Sequence, residues 1–196
     1  MNRVLFLKKM QTPRALITTL VFVFLTAEAT QAPAAVVRQA DLGELVDASA
    51  VVFHGVVSRV EDSPASRTGR FVTQIDFEVL ESVTGLETSQ RVFSLQVPGG
   101  RRGSKSLIIP GMPRFIPGDE VVLLLEKRQG QPGWMFTGLA QGVFWVRRDQ
   151  VVPLAYRNLS NITLVRDGEH LHGGVERPQS LHGLLDILRK LVEGVR

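Results

Sequence analysis

Four basic side chains crowd one irregular stretch of the sequence and offer the most chemistry in it. Arg101, Arg102 and Lys105 lie within GGRRGSKS (99–106), and Arg114 follows in the same Gly- and Pro-rich run, residues 98–117. A guanidinium is always charged and presents a planar fork of donors that matches carboxylates and phosphates. Loops of this length in compact domains are uncommon and are usually functional or mobile. These four residues are therefore the candidate ligand-binding set. The ligand would be an anionic partner: an acidic glycan, a lipid headgroup or an acidic protein face. The competing reading is an ordinary solvated basic loop.

A nucleotide site fits the same segment poorly. A phosphate-binding loop needs Gly-x-x-x-x-Gly-Lys-Ser/Thr, and here Ser104 precedes Lys105. No helix pattern follows to offer its N-terminus to phosphate. Glu169, His170 and His172 are weak metal-ligand candidates. On a strand the two histidines would point to one side. Zinc takes three or four ligands, however, and only His54 and His182 remain, both remote in sequence. Two exposed histidines beside a turn are the simpler account, and no metal or cofactor is expected. Asp119 and Glu120 are adjacent, face opposite ways on a strand, and so cannot work as an acid–base pair. Gly-x-Ser-x-Gly and His-Glu-x-x-His are absent. No residue is assigned a catalytic role. Trp134, Phe136, Phe144 and Trp145 form an aromatic set in neighbouring strands, with Phe144 and Trp145 on opposite faces. Core packing is the expected role for most of it.

The elements that must position these residues are mostly strands. Residues 41–49 read as one or two helical turns capped by Asp41, with Leu42, Leu45 and Val46 on one face. From residue 50 the hydrophobic period changes to two. Residues 50–61 form a Val-rich strand with Gly55 in its middle, the mark of a bulge or bend. Residues 70–82 alternate cleanly: Phe71, Thr73, Ile75, Phe77 and Val79 against Gln74, Asp76 and Glu78. Strands follow at 90–97, 119–127, 134–139, 142–148 and 150–154. Pro117-Gly118 suits a type II turn. Asp167-Gly168 is a type I′ signal between strands at 161–166 and 169–172. Ser180 opens a final helix with an apolar stripe of Leu181, Leu184, Leu185, Leu188, Leu191 and Val192, and Gly194 ends it.

Residues 1–29 read as an export signal. Arg3, Lys8, Lys9 and Arg14 precede an apolar run, ALITTLVFVFLT, and Ala27-Glu28-Ala29 supplies a cleavage pattern after Ala29. The run is short for a membrane span, so cleavage is expected, leaving no stable span. Retention as an anchor is the alternative. The leader also explains the charge. It holds four of the 23 basic residues and one of the 19 acids, so the remainder is close to neutral although the whole chain carries +4. That balance gives no support to nucleic-acid binding. The chain has no cysteine. Thiol catalysis, Cys-ligated zinc and Fe–S clusters are excluded. An exported protein without disulfides fits a bacterial periplasm or exterior.

The stretch ASAVVFHGVVSRVE, then FVTQIDFEVLESVTGL, then RVFSLQVPGG, resembles the opening of netrin-like domains, the OB-type barrels that include tissue inhibitors of metalloproteinases. With GMPRFIPGDEVVLLLE and WMFTGLAQGVFWV following, the layout looks like a group of uncharacterised exported bacterial proteins. The resemblance covers residues 41–148. It implies a mostly β, OB-like β-barrel with a short N-terminal helix and a C-terminal amphipathic helix. The inhibitors act through an N-terminal cysteine that chelates the protease zinc; this chain has none, so that activity does not carry over.

The expected organisation is a signal peptide (1–29), a flexible lead-in (30–40), a barrel (41–155), and a hairpin with a helix packed on the barrel (156–196). The expected function is a non-enzymatic exported module for a protein or glycan partner, periplasmic or secreted. The alternatives are a hydrolase with a dispersed, metal-dependent site and a structural envelope protein.

Overall fold

Alternation of apolar residues at period two drives most of this chain into antiparallel strands, and the computed structural model shows how they join. The chain divides into two units, residues 1–32 and 33–196. The structure describes residues 35–63, 71–128, 130 and 133–194, all in the second. The export signal and its cleavage point after Ala29 lie outside the described residues.

The elements are β1 (Ala35–Arg38), α1 (Leu42–Ala48), β2 (Val51–Ser63), β3 (Val72–Thr84), β4 (Val92–Pro98), β5 (Gly100–Arg102), β6 (Lys105–Leu107), β7 (Glu120–Lys127), β8 (Trp134–Phe136), a 3-10 turn (Leu139–Gly142), β9 (Val143–Arg147), β10 (Leu154–Tyr156), β11 (Ile162–Arg166), β12 (Glu169–His172), β13 (Gln179–Ser180) and α2 (Leu181–Gly194). The main sheet runs β13-β10-β9-β7-β2-β3-β4. β7 shares one edge between two strands: Val121–Leu123 pairs with β9, and Leu125–Lys127 pairs with β8. The fold is mostly β, and no sheet closes into a barrel among the described residues. β1, β11 and β12 form a second small sheet, and β5 and β6 form a separate hairpin.

The main sheet buries both faces. On one face, Phe53, Phe77, Leu95, Leu123 and Phe136 form the larger core, closed by Phe115 from the segment before β7. On the other, Val52, Val122, Leu124 and Phe144 lie under Leu45 and Val46 of α1 and Leu181, Leu184, Leu185 and Leu188 of α2. Both helices start on side-chain caps. Asp41 accepts from the Glu44 amide while Glu44 accepts from the Asp41 amide, a full capping box. Ser180 Oγ accepts from the Gly183 amide. At Gly55 the register of β2 on β3 shifts, and an added Cβ would sit 2.6 Å from the Glu78 carbonyl oxygen. The register shift places a bulge at Gly55 within β2.

Four expectations are corrected. The lead-in 30–40 is not loose throughout: Ala35–Arg38 pairs in parallel with Ile162–Val165. Residues 98–117 are not wholly irregular, because they contain the β5–β6 hairpin. The strand expected at 150–154 starts only at Leu154, and Val151 and Val152 are exposed. The boundary expected after residue 155 falls inside β10, which pairs with both β9 and β13.

Candidate functional site

The basic residues are placed by the segment that leaves β4 and returns as β7. Gly99 and Gly100 have φ of 108° and 122°, a region that favours glycine. They turn the chain sharply into β5. A Cβ on Gly100 would lie 2.6 Å from both Asp62 Oδ1 and Thr73 Oγ1. Thr73 Oγ1 lies 2.9 Å from Asp62 Oδ1 and 3.1 Å from the Gly99 carbonyl oxygen, within donating reach of both. The root of the hairpin is thus tied to β2 and β3. In the β5–β6 ladder Arg101 stands opposite Ser106, and Arg102 opposite Lys105. Opposed residues share a face and neighbours alternate, so Arg101 and Ser106 face one way and Arg102 and Lys105 the other.

The return segment is pinned as well. Phe115 is buried, with its ring centroid 5.8 Å from Phe77, 5.5 Å from Phe136 and 5.1 Å from Trp145. After it, Ile116–Asp119 make the expected turn. The Asp119 amide donates to the Ile116 carbonyl, the Ile116 amide donates to Asp119 Oδ2, and Gly118 has a φ of 94°. Arg114 is carried on the rim because its neighbour is locked into the core.

These constraints enclose a cleft of about 410 Å³. Its floor includes the buried Ile75, Val97 and Phe115; its rim includes Arg101, Arg114, Ser104 and Ser106. This volume falls in the range of small-molecule sites, and the lining is mixed, apolar at Val60, Ile109 and Met112 and polar at Asp62, Thr73, Ser104 and Ser106. Leu107, Ile108 and Ile116 are exposed nearby, the last two at 62% and 68%. Among the described residues, none of Arg101, Arg102, Lys105 and Arg114 forms an ion pair. Of the four sequence candidates, the structure brings Arg101 and Arg114 to the cleft and leaves Arg102 and Lys105 on the outer side of the hairpin.

Glu169, His170 and His172 are all exposed on β12, opposite Arg166, Val165 and Thr163. Glu169 and His170 alternate across the strand. Among the described residues, no three His, Cys, Asp or Glu side chains are grouped closely enough to hold one ion. Phe136 and Phe144 are buried in the two different cores, while Trp134 and Trp145 are half-buried against the larger one.

A second charged group was not apparent in the sequence. His54 is buried on β2, 6% exposed. Its Nε2 lies 2.7 Å from Glu120 Oε1 on β7, and Arg148 donates to both Glu120 oxygens at 2.6 Å. A carboxylate can only accept, so Nε2 of His54 carries the proton in this contact. Burial pushes the Glu120 carboxyl up, but the Arg148 and His54 hydrogen bonds outweigh it and hold it below its ordinary value. Every charge in this triad is internally answered, the arrangement of a structural ion pair rather than an open site.

No protein-family model and no curated protein matches the chain. Among the described residues, no helix is long and apolar enough to cross a membrane.

Proposed function

We propose that the chain is an exported, non-enzymatic binding module that holds an anionic partner, a protein face or a glycan, at the cleft between the β5–β6 hairpin and the segment before β7. The observation that carries this reading is that Arg101 and Arg114, apart in sequence and without ion pairs among the described residues, line the same cleft. Buried polar groups are answered within the chain, as His54 and Glu120 are by each other and by Arg148. Guanidinium groups left facing a concave surface are suited to an incoming carboxylate or phosphate. Export rests on the basic and apolar pattern of residues 1–29. For the scaffold we favour an opened OB-like, netrin-like barrel. The sheet curls far enough that Phe93 of β4 and Trp134 of β8, which share no ladder, have ring centroids 6.0 Å apart.

Binding of the purified protein to an oligogalacturonate and to an acidic peptide, titrated at rising salt, tests the reading. Salt-sensitive binding to at least one, weakened tenfold or more in the Arg101→Ser/Arg114→Ser variant, is expected. Binding unchanged in that variant would place the ligand elsewhere.

A further inference from the structure

We infer, resting on the reading of the cleft as the ligand site, that its occupant is an acidic sugar: a ring with one carboxylate for Arg101 and Arg114 and free hydroxyls for Asp62, Ser104 and Ser106. The charged groups in the lining are two guanidinium ions and one carboxylate. One negative charge on the ligand balances them, and a second would meet Asp62. Asp62 is the informative member. It is exposed, it lines the cleft, and among the described residues it makes no ion pair with Arg101 or Arg114. An ionised carboxylate only accepts hydrogen bonds, at about four sites, and among the described residues Thr73 Oγ1 takes up one of them. A cleft that only attracts an anion gains nothing from a carboxylate in its wall, whereas a cleft that reads hydroxyls does. The two serines add hydroxyls that both donate and accept, and Ser106 shares the hairpin face with Arg101. Half-buried Val60, Ile109 and Met112 suit the C–H faces of a sugar ring. A run of acidic side chains would set further negative charge against Asp62.

Calorimetric titration of the purified protein with an oligogalacturonate and an oligomannuronate, each also methyl-esterified and O-acetylated, tests this directly. Saturable binding is expected for at least one of the free acids. Esterification removes the charge and acetylation removes the hydroxyl donors, and each should weaken binding about tenfold or more. Asp62→Ala gives the sharper test, because charge and hydrogen bonding predict opposite signs. It removes a negative charge, so an acidic peptide should bind as well or better. It also removes the hydroxyl acceptor, so the oligouronate should bind about tenfold more weakly. Thr73 Oγ1 keeps the Gly99 carbonyl oxygen at 3.1 Å as an acceptor, and Asp62 is exposed, so the thermal midpoint should stay put. Asp62→Asn keeps the shape and one acceptor oxygen, should fall between, and carries the test if the alanine variant does not fold. Oligouronate binding that is unchanged or tighter in these variants, or indifferent to acetylation, would overturn the acidic sugar. If an acidic peptide binds in an Arg101- and Arg114-dependent way and neither oligouronate does, the acidic sugar is overturned and the anionic cleft stands. If no ligand binds, both fall.

Discussion

The two faces of the main sheet treat charge in opposite ways. On the helix-covered face, Glu120 is held by His54 and Arg148, and Arg189 of α2 reaches both Glu81 and Asp186. At the cleft, Arg101 and Arg114 stand on the rim without an ion pair among the described residues. The first arrangement answers each charge within the chain, so its contribution is to stability and register. The second leaves charge facing a concavity, which is the arrangement the proposed binding role needs. On the proposed reading, that contrast is what distinguishes the cleft arginines from the paired charges elsewhere.

Breaking the covered face should have the largest consequence. Leu188 is fully buried between α2 and the sheet. Leu188→Ala removes its packing and leaves a cavity, and chemical denaturation should show a loss of about 2–5 kcal/mol. A loss under about 1 kcal/mol would mean that α2 is only loosely docked.

The triad should respond next. Glu120→Gln should cost about 1–3 kcal/mol, toward the lower end because the Arg148 side chain is half in solvent. Its pH dependence has a definite sign. The folded Glu120 carboxyl lies below its ordinary value of 4.5. Its contribution is therefore complete above that value and is lost as pH falls through the lower folded one. Denaturation midpoints measured down the acid range should fall less steeply in Glu120→Gln than in the parent. Parallel profiles would show that the pair contributes nothing net. Smaller still is the cap: Asp41→Ala should cost about 1 kcal/mol, seen in the same denaturation assay.

What the sequence disclosed depended on how locally each feature is encoded. The Asp41 and Ser180 caps, the Gly55 bulge, the Ile116–Asp119 turn and the stripe of α2 each need only a few neighbouring residues, and each is present. Asp167 and Gly168 both have positive φ, as a type I′ turn requires. Features that depend on distant pairing were hidden. β1 is four residues long and gains its place only from β11 beside it. Glu120 becomes significant because β2 and β7 are neighbours and bring His54 to it across 66 positions. Val151 and Val152 have strand-like side chains, yet they stand in solvent because the sheet offers them no partner. The candidate site was half legible. A cluster of Arg and Gly pointed to the segment, but only the alternation in the β5–β6 ladder separates Arg101 from Arg102.

The smallest expected change in stability accompanies the largest expected change in binding, and this makes the decisive measurement. The Arg101→Ser/Arg114→Ser variant and the parent would be compared for thermal midpoint and for affinity toward an anionic ligand in the same buffer. The account predicts a midpoint within about 2 °C of the parent, since both side chains are exposed, together with at least a tenfold loss of affinity. A variant that melts markedly earlier yet binds as tightly as the parent would contradict it.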